Sequence, residues 1–174
     1  GAAMSLLGKV YLTQKNWNLA AAKLKEVIDQ TASNKYQLLP TYAGVFGVAN
    51  ENNRESIFEV QFKRASTGEG SPFTNQFAPI GSGTAVVSVG NPLGQNIPTA
   101  NMNNAYETGD LRAKNQEGYF YTSYFTNGNG APFELGAPYV FKHFNQTSNG
   151  SAGVAGTRND NLNVPQIRYA EVLL

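Results

Sequence analysis

No cysteine occurs in the 174 residues, which excludes disulfides, thiolate zinc sites and thiol nucleophiles together. There is one histidine, His143, and a Ser-His-Asp triad would have to use it, yet no Gly-x-Ser-x-Gly elbow accompanies it. Charge is scarce and balanced. Lys+Arg 13 against Asp+Glu 12 leaves a formal net charge of +1 with no basic run, so the electrostatic footprint of a nucleic-acid binder is missing. No stretch approaches ~20 consecutive apolar residues, the length that spans a bilayer. Gly1-Ala2-Ala3 runs straight into the first helical pattern, with no charged region, apolar core and cleavage site of a secretory signal.

What fills the surface instead is Asn, Gln, Ser, Thr and Gly, because only 14% of the residues are charged. Neutral donors and acceptors recognise neutral polar partners without counterion release or large desolvation costs. That chemistry favours sugars over phosphates.

The strongest local pattern is at the start. Met4, Leu7-Gly8, Tyr11, Ala20 and Leu24 reproduce the large, small and aromatic spacing of a tetratricopeptide-type helical hairpin. Helices are expected over 3–13 and 19–30, with Asn18 as cap of the second and Trp17 sealing the turn. Met4, Leu7, Val10, Tyr11, Leu24, Val27 and Ile28 are the expected seam, and Gly8 with Ala20 to Ala22 lets the backbones approach. Such units need about three copies to be stable. Ile167 to Leu174 adds an apolar helical pattern with no cap, so both ends look cut and the chain reads as part of a longer helical-repeat protein. The expected organisation is a hairpin over 1–31, a loop-rich insert with short strands over 32–164, and the start of the next repeat helix over 165–174. The fold class is mainly α, tetratricopeptide-like, with small β elements and long loops.

Within the insert, a short helical patch is expected around Tyr42 to Phe46 and a polar turn at Asn52-Asn53-Arg54-Glu55. Phe58, Val60 and Phe62 then alternate with Glu59, Gln61 and Lys63, the period of a half-buried strand. Residues 64–97 are rich in Gly, Ser, Thr, Asn and Pro, broken by Phe73, Phe77 and Thr84-Ala85-Val86-Val87, and a loop of that length inside a domain is a candidate ligand surface. Pro98-Thr99 opens a short helix closed by Gly109. Residues 119–125 and 139–144 are aromatic β-prone runs, with Asn127-Gly128 and Asn129-Gly130 as turn signals between them. Residues 146–161 form a second Gly/Asn-rich loop leading into the last helix.

The order of these motifs carries a resemblance. The Leu-Gly-x-x-Tyr hairpin is followed by Tyr36-Gln37-Leu38, Asn53-Arg54-Glu55-Ser56-Ile57-Phe58-Glu59-Val60-Gln61, Pro98-Thr99, Gly109-Asp110-Leu111-Arg112 and Pro165-Gln166-Ile167-Arg168-Tyr169-Ala170-Glu171-Val172-Leu173-Leu174. This resembles the SusD/RagB family of glycan-binding lipoproteins. The resemblance implies non-enzymatic capture of an oligosaccharide at the bacterial outer membrane and its delivery to a TonB-dependent, SusC-like transporter, with the lipid anchor outside this chain. It also implies ligand aromatics on variable loops. Phe73 and Phe77 are the expected sugar platforms, with Asn75 and Gln76 as hydroxyl partners.

Other chemistry is thinner. Glu107, Asp110, Glu117 and Glu134 are carboxylates of the kind glycoside hydrolysis uses, but Asp110 with Arg112 reads more simply as an ion pair. Gly81-Ser82-Gly83 and Gly128-Asn129-Gly130 complete neither a dinucleotide fingerprint nor a P-loop. Asn159-Asp160-Asn161-Leu162-Asn163 is oxygen-rich but lacks the Gly and Glu of a calcium loop, so no metal or cofactor is expected. Asn145-Gln146-Thr147 and Asn149-Gly150-Ser151 match a glycosylation acceptor pattern by coincidence. Trp17, Arg168, Tyr169 and Glu171 are expected to serve the scaffold, and His143 to sit in a strand. The rival readings are a helical-repeat adaptor for proteins and, behind it, part of a glycoside hydrolase.

Overall fold

The computed structural model describes residues 1–30, 35–64, 68–80, 87–89, 92–113, 120–126, 132–143, 154–155 and 160–174. These residues form two compact units, one of Gly1–Pro40, Glu51–Val60 and Val164–Leu174, the other of Thr41–Asn50 and Gln61–Asn163.

The first unit is built on a helical hairpin, α1 Ala2–Thr13 and α2 Trp17–Asp29. Lys15 stops α1 by adopting φ 60°, and its N–H donates to Leu12 O while Asn16 N–H donates to Tyr11 O. That bond pair is a Schellman closure with lysine in the position usually held by glycine, which is why no glycine marks this helix end. Close approach of the helices depends on Gly8, where a Cβ would stand 2.5 Å from Leu24 Cδ2. Beyond this contact Val27, Tyr36, Tyr169 and Val172 form a buried cluster, with Met4, Leu24, Ile28 and Ile57 packed against it. Tyr36 and Tyr169 stack with ring centroids 6.4 Å apart.

Several expectations for the hairpin are corrected. Trp17 is the first residue of α2 and is 61% exposed, because it lies at the loop end of the hairpin, away from the buried cluster. Leu7 and Val10 are exposed, and the buried positions of α1 are Ser5 and Gly8. Asn18 lies inside α2, whose cap position is Asn16.

Strand β1, Ser56–Val60, pairs antiparallel with β6, Val164–Arg168, and helix α5, Tyr169–Leu173, follows directly. A strand therefore takes residues 165–168, the first four of the segment expected to be helical, because they pair with β1, and the helix begins only at Tyr169. The β1–β6 register shifts on both sides of Phe58. Each irregularity re-aims side chains, and the expected alternation is inverted: Phe58 is 49% exposed while Glu59 is buried and accepts from Asn52 N–H. Glu55 is not a surface turn residue either. Its buried carboxylate accepts from Leu39 N–H and from Arg168, and its carbonyl accepts from Tyr169 N–H.

In the second unit, a 3-10 turn at Ala43–Val45 lies in the expected helical patch, and a second at Val48–Asn50 follows it. Helix α3, Phe73–Phe77, lies within the stretch expected to be loop. Helix α4, Ala100–Asn104, is capped by Thr99, whose hydroxyl accepts from Met102 N–H. The expected hairpin is present as β3, Phe120–Thr126, antiparallel to β4, Pro132–Val140. Its second strand lies earlier in sequence than the aromatic run suggested, so His143 follows β4 in a turn. A short parallel pair joins β2, Val87–Val89, to β5, Val154–Ala155. Gly81-Ser82-Gly83, Glu117, 127–130, Asn145, Asn149 and Asn159 lie outside the described residues.

Candidate functional site

The four residues singled out as a sugar site fall together on α3. Pro72 enters the helix at φ −87°, Ser71 Oγ accepts from Phe73 N–H, and Gln76 N–H and Ala78 N–H donate back to Pro72 O and Thr74 O. Helical spacing of four residues puts Phe73 and Phe77 on one face. Their rings are parallel to within 5°, with centroids 6.0 Å apart. Both are half-buried, as is Gln76. Asn75 differs. It is 1% exposed, because it lies on the inward side of the same turn, so its assignment as a direct hydroxyl partner is corrected to a packing position.

Sequence reasoning missed two members of this cluster. His143 stacks on Phe77 with centroids 4.4 Å apart and on Phe73 at 5.6 Å, both at 24°. Burial, with Lys142 adding to it, holds its imidazole down to about 4, so the ring is neutral at ordinary pH. Phe62 meets Phe73 edge-on at 6.1 Å. The Phe62 N–H donates to Asn163 Oδ1, and Asn163 Nδ2 donates to Gln61 Oε1, both at 2.8 Å. No local signal links Phe62 or His143 to Phe73 and Phe77; they meet through tertiary contacts.

The back of α3 is covered by a returning segment. Leu93, Gly94 and Gln95 N–H groups donate to the carbonyls of Asn75, Ala78 and Gln76. Gly94 is required there: it sits at φ 55°, and a Cβ would stand 2.4 Å from Ile80 Cγ1. The result is a set of aromatic faces flanked by amides, held on a backbone whose hydrogen bonds are turned inward. Such a surface can stack the apolar face of a sugar ring and meet its hydroxyls, while its one titratable ring is neutral.

The carboxylates are arranged differently. Asp110 is gripped by Arg112, which donates Nε and Nη2 to it and lies over the Tyr106 ring at 5.2 Å. These hydrogen bonds hold the Asp110 carboxyl below its usual range, as the expected ion pair requires. Glu107 and Asp110 border an open surface cavity of about 550 Å³ with Ala105, Thr108, Gly109 and Arg112. The described residues contain no group of three or more His, Asp or Glu side chains able to hold a metal ion.

No protein-family model and no curated protein sequence matches the chain. Solved structures do. A SusD superfamily protein from Parabacteroides distasonis is 24% identical with a TM-score of 0.79, over 99% of this chain and 37% of that one. A laminarin-binding SusD-like protein is 26% identical with a TM-score of 0.76, over 98% of this chain and 41% of that one. Surface glycan-binding protein A from Bacteroides thetaiotaomicron, also solved with laminarihexaose, is 19% identical with a TM-score of 0.73, over 98% of this chain and 40% of that one. The chain therefore has a SusD-like fold and spans about two-fifths of the length of these structures.

Proposed function

We propose, from a SusD-like fold extending over nearly the whole chain, that this protein captures a neutral oligosaccharide without transforming it. The fold likeness carries the reading, and the half-buried rings on α3 supply a chemistry for it. Phe73 and Phe77 are the stacking platforms, His143 extends them, and Gln76 is the amide beside them. Asn75 packs beneath. The parent protein would display this surface at the outer membrane and pass glycan to a TonB-dependent, SusC-like transporter. The α1–α2 hairpin, with α5 against the Val27 cluster, would be one unit of a repeat scaffold carrying the loops.

Affinity electrophoresis against neutral polysaccharides, laminarin among them, tests the proposal. The expected result is retardation by at least one glycan, abolished in a Phe73→Ala, Phe77→Ala double variant whose circular dichroism is unchanged. Retardation that survives in the double variant would remove α3 from the site. Released reducing sugar in a parallel turnover assay would favour the hydrolase reading, and binding to no glycan at all would return the question to a protein adaptor.

A further inference from the structure

Helix α3 is too short to hold itself. A five-residue helix has fixed its backbone in return for very few internal hydrogen bonds, and isolated helices are marginal below about 12 residues. Its geometry must come from outside: the 93–95 segment holds its carbonyls, and Asp160 holds its entry.

Asp160 is 0% exposed and acts on the first turn of α3 at two points. Its backbone pairs with Ser71, with Ser71 N–H donating to Asp160 O at 2.8 Å and Asp160 N–H to Ser71 O at 3.3 Å. Ser71 in turn accepts from Phe73 N–H. Its side chain takes the hydroxyl hydrogen of Thr74 on Oδ2, while Asn161 N–H donates to Oδ1 at 2.7 Å and fixes the carboxylate plane. The His143 carbonyl oxygen, 3.2 Å away, is the alternative acceptor for that one hydroxyl hydrogen. One hydroxyl therefore touches both the clamp and the backbone of the residue stacked on Phe77.

We propose that Asp160 is a positioning residue for the aromatic surface: through Ser71 and Thr74 it sets the first turn of α3 and, through the Thr74 hydroxyl, the place of His143 against Phe73 and Phe77. Asp160 never touches ligand. Buried carboxylates are retained where each oxygen is satisfied, and here Oδ2 accepts from the helix that carries the rings while Oδ1 accepts from Asn161 N–H. As a ligand-positioning role this rests on the glycan reading, but the clamp itself does not.

The test uses the whole chain and its single histidine, whose ring proton gives an unambiguous NMR titration. Thr74→Val keeps the shape and removes the hydroxyl. It is expected to raise the His143 midpoint from about 4 toward 6.5, and to weaken binding of laminarihexaose by about tenfold or more where the wild type binds it. Thr74→Ser, which restores the hydroxyl, is expected to return both values. Asp160→Asn, which retains one acceptor oxygen, should fall between. If Thr74→Val does not fold, Thr74→Ser and Asp160→Asn decide by the same two readouts. A wild-type His143 midpoint in folded Thr74→Val or Asp160→Asn overturns the clamp. A shifted midpoint in a protein that never binds glycan upholds the clamp and sinks the glycan reading.

Discussion

Arg168 Nη1 donates to Glu55 Oε1 at 2.9 Å across 113 residues of sequence. The carboxylate is buried while the Arg168 side chain is about one-third exposed, and Leu39 N–H occupies the second oxygen. Removing the arginine leaves a buried carboxylate with half its satisfaction. Arg168→Ala is expected to destabilise by about 2–4 kcal/mol, toward the lower end because water reaches the guanidinium side. Urea denaturation measures it, and a loss below about 0.5 kcal/mol, the scale of a surface pair, would show that the bridge is no more than one.

Gly8 is the contact point of the α1–α2 hairpin. Alanine would gain about 1 kcal/mol of helix propensity, yet its Cβ would meet Leu24 Cδ2 at 2.5 Å and Cγ at 2.7 Å. Overpacking costs about 1–3 kcal/mol, so Gly8→Ala is expected to lower the melting temperature, and Leu24→Ala made with it should cost less than on the native background. Strict additivity of the two changes would remove the contact from the explanation.

Trp17 provides the contrast. At 61% exposure its ring rests on little, and Trp17→Ala is expected to change stability by less than about 1 kcal/mol, against about 3–5 kcal/mol for a fully buried tryptophan. Thermal unfolding followed by circular dichroism distinguishes the two.

His143 makes stability depend on pH. Its folded imidazole is held at about 4 against an ordinary 6.5, so the unfolded chain binds the proton first as pH falls. The contribution is complete above about 6.5, is lost progressively between about 6.5 and 4, and amounts to at most about 3 kcal/mol. Urea midpoints at pH 7 and pH 4.5 should diverge more for wild type than for His143→Phe, which keeps a ring in the stack. Equal divergence would assign the acid sensitivity to other groups.

The sequence alone determined the elements whose causes are local. The apolar periodicity around Met4 and Leu24 marked the hairpin, Thr99 marked the start of α4, and the paired aromatic runs marked the β3–β4 hairpin, because period, cap and turn act over a few residues. It also marked Phe73 and Phe77 as neighbours, though as loop residues, since a five-residue helix has too little periodicity to announce itself. Tertiary structure decided the rest. Lys15 closes α1 in a conformation usually left to glycine, β1 draws residues 164–168 into a strand, and Asp160 reaches Thr74 across 86 residues. Each of these depends on backbone or carboxylate groups finding partners far along the chain, and a hydrogen bond between distant residues leaves no period in the sequence to read.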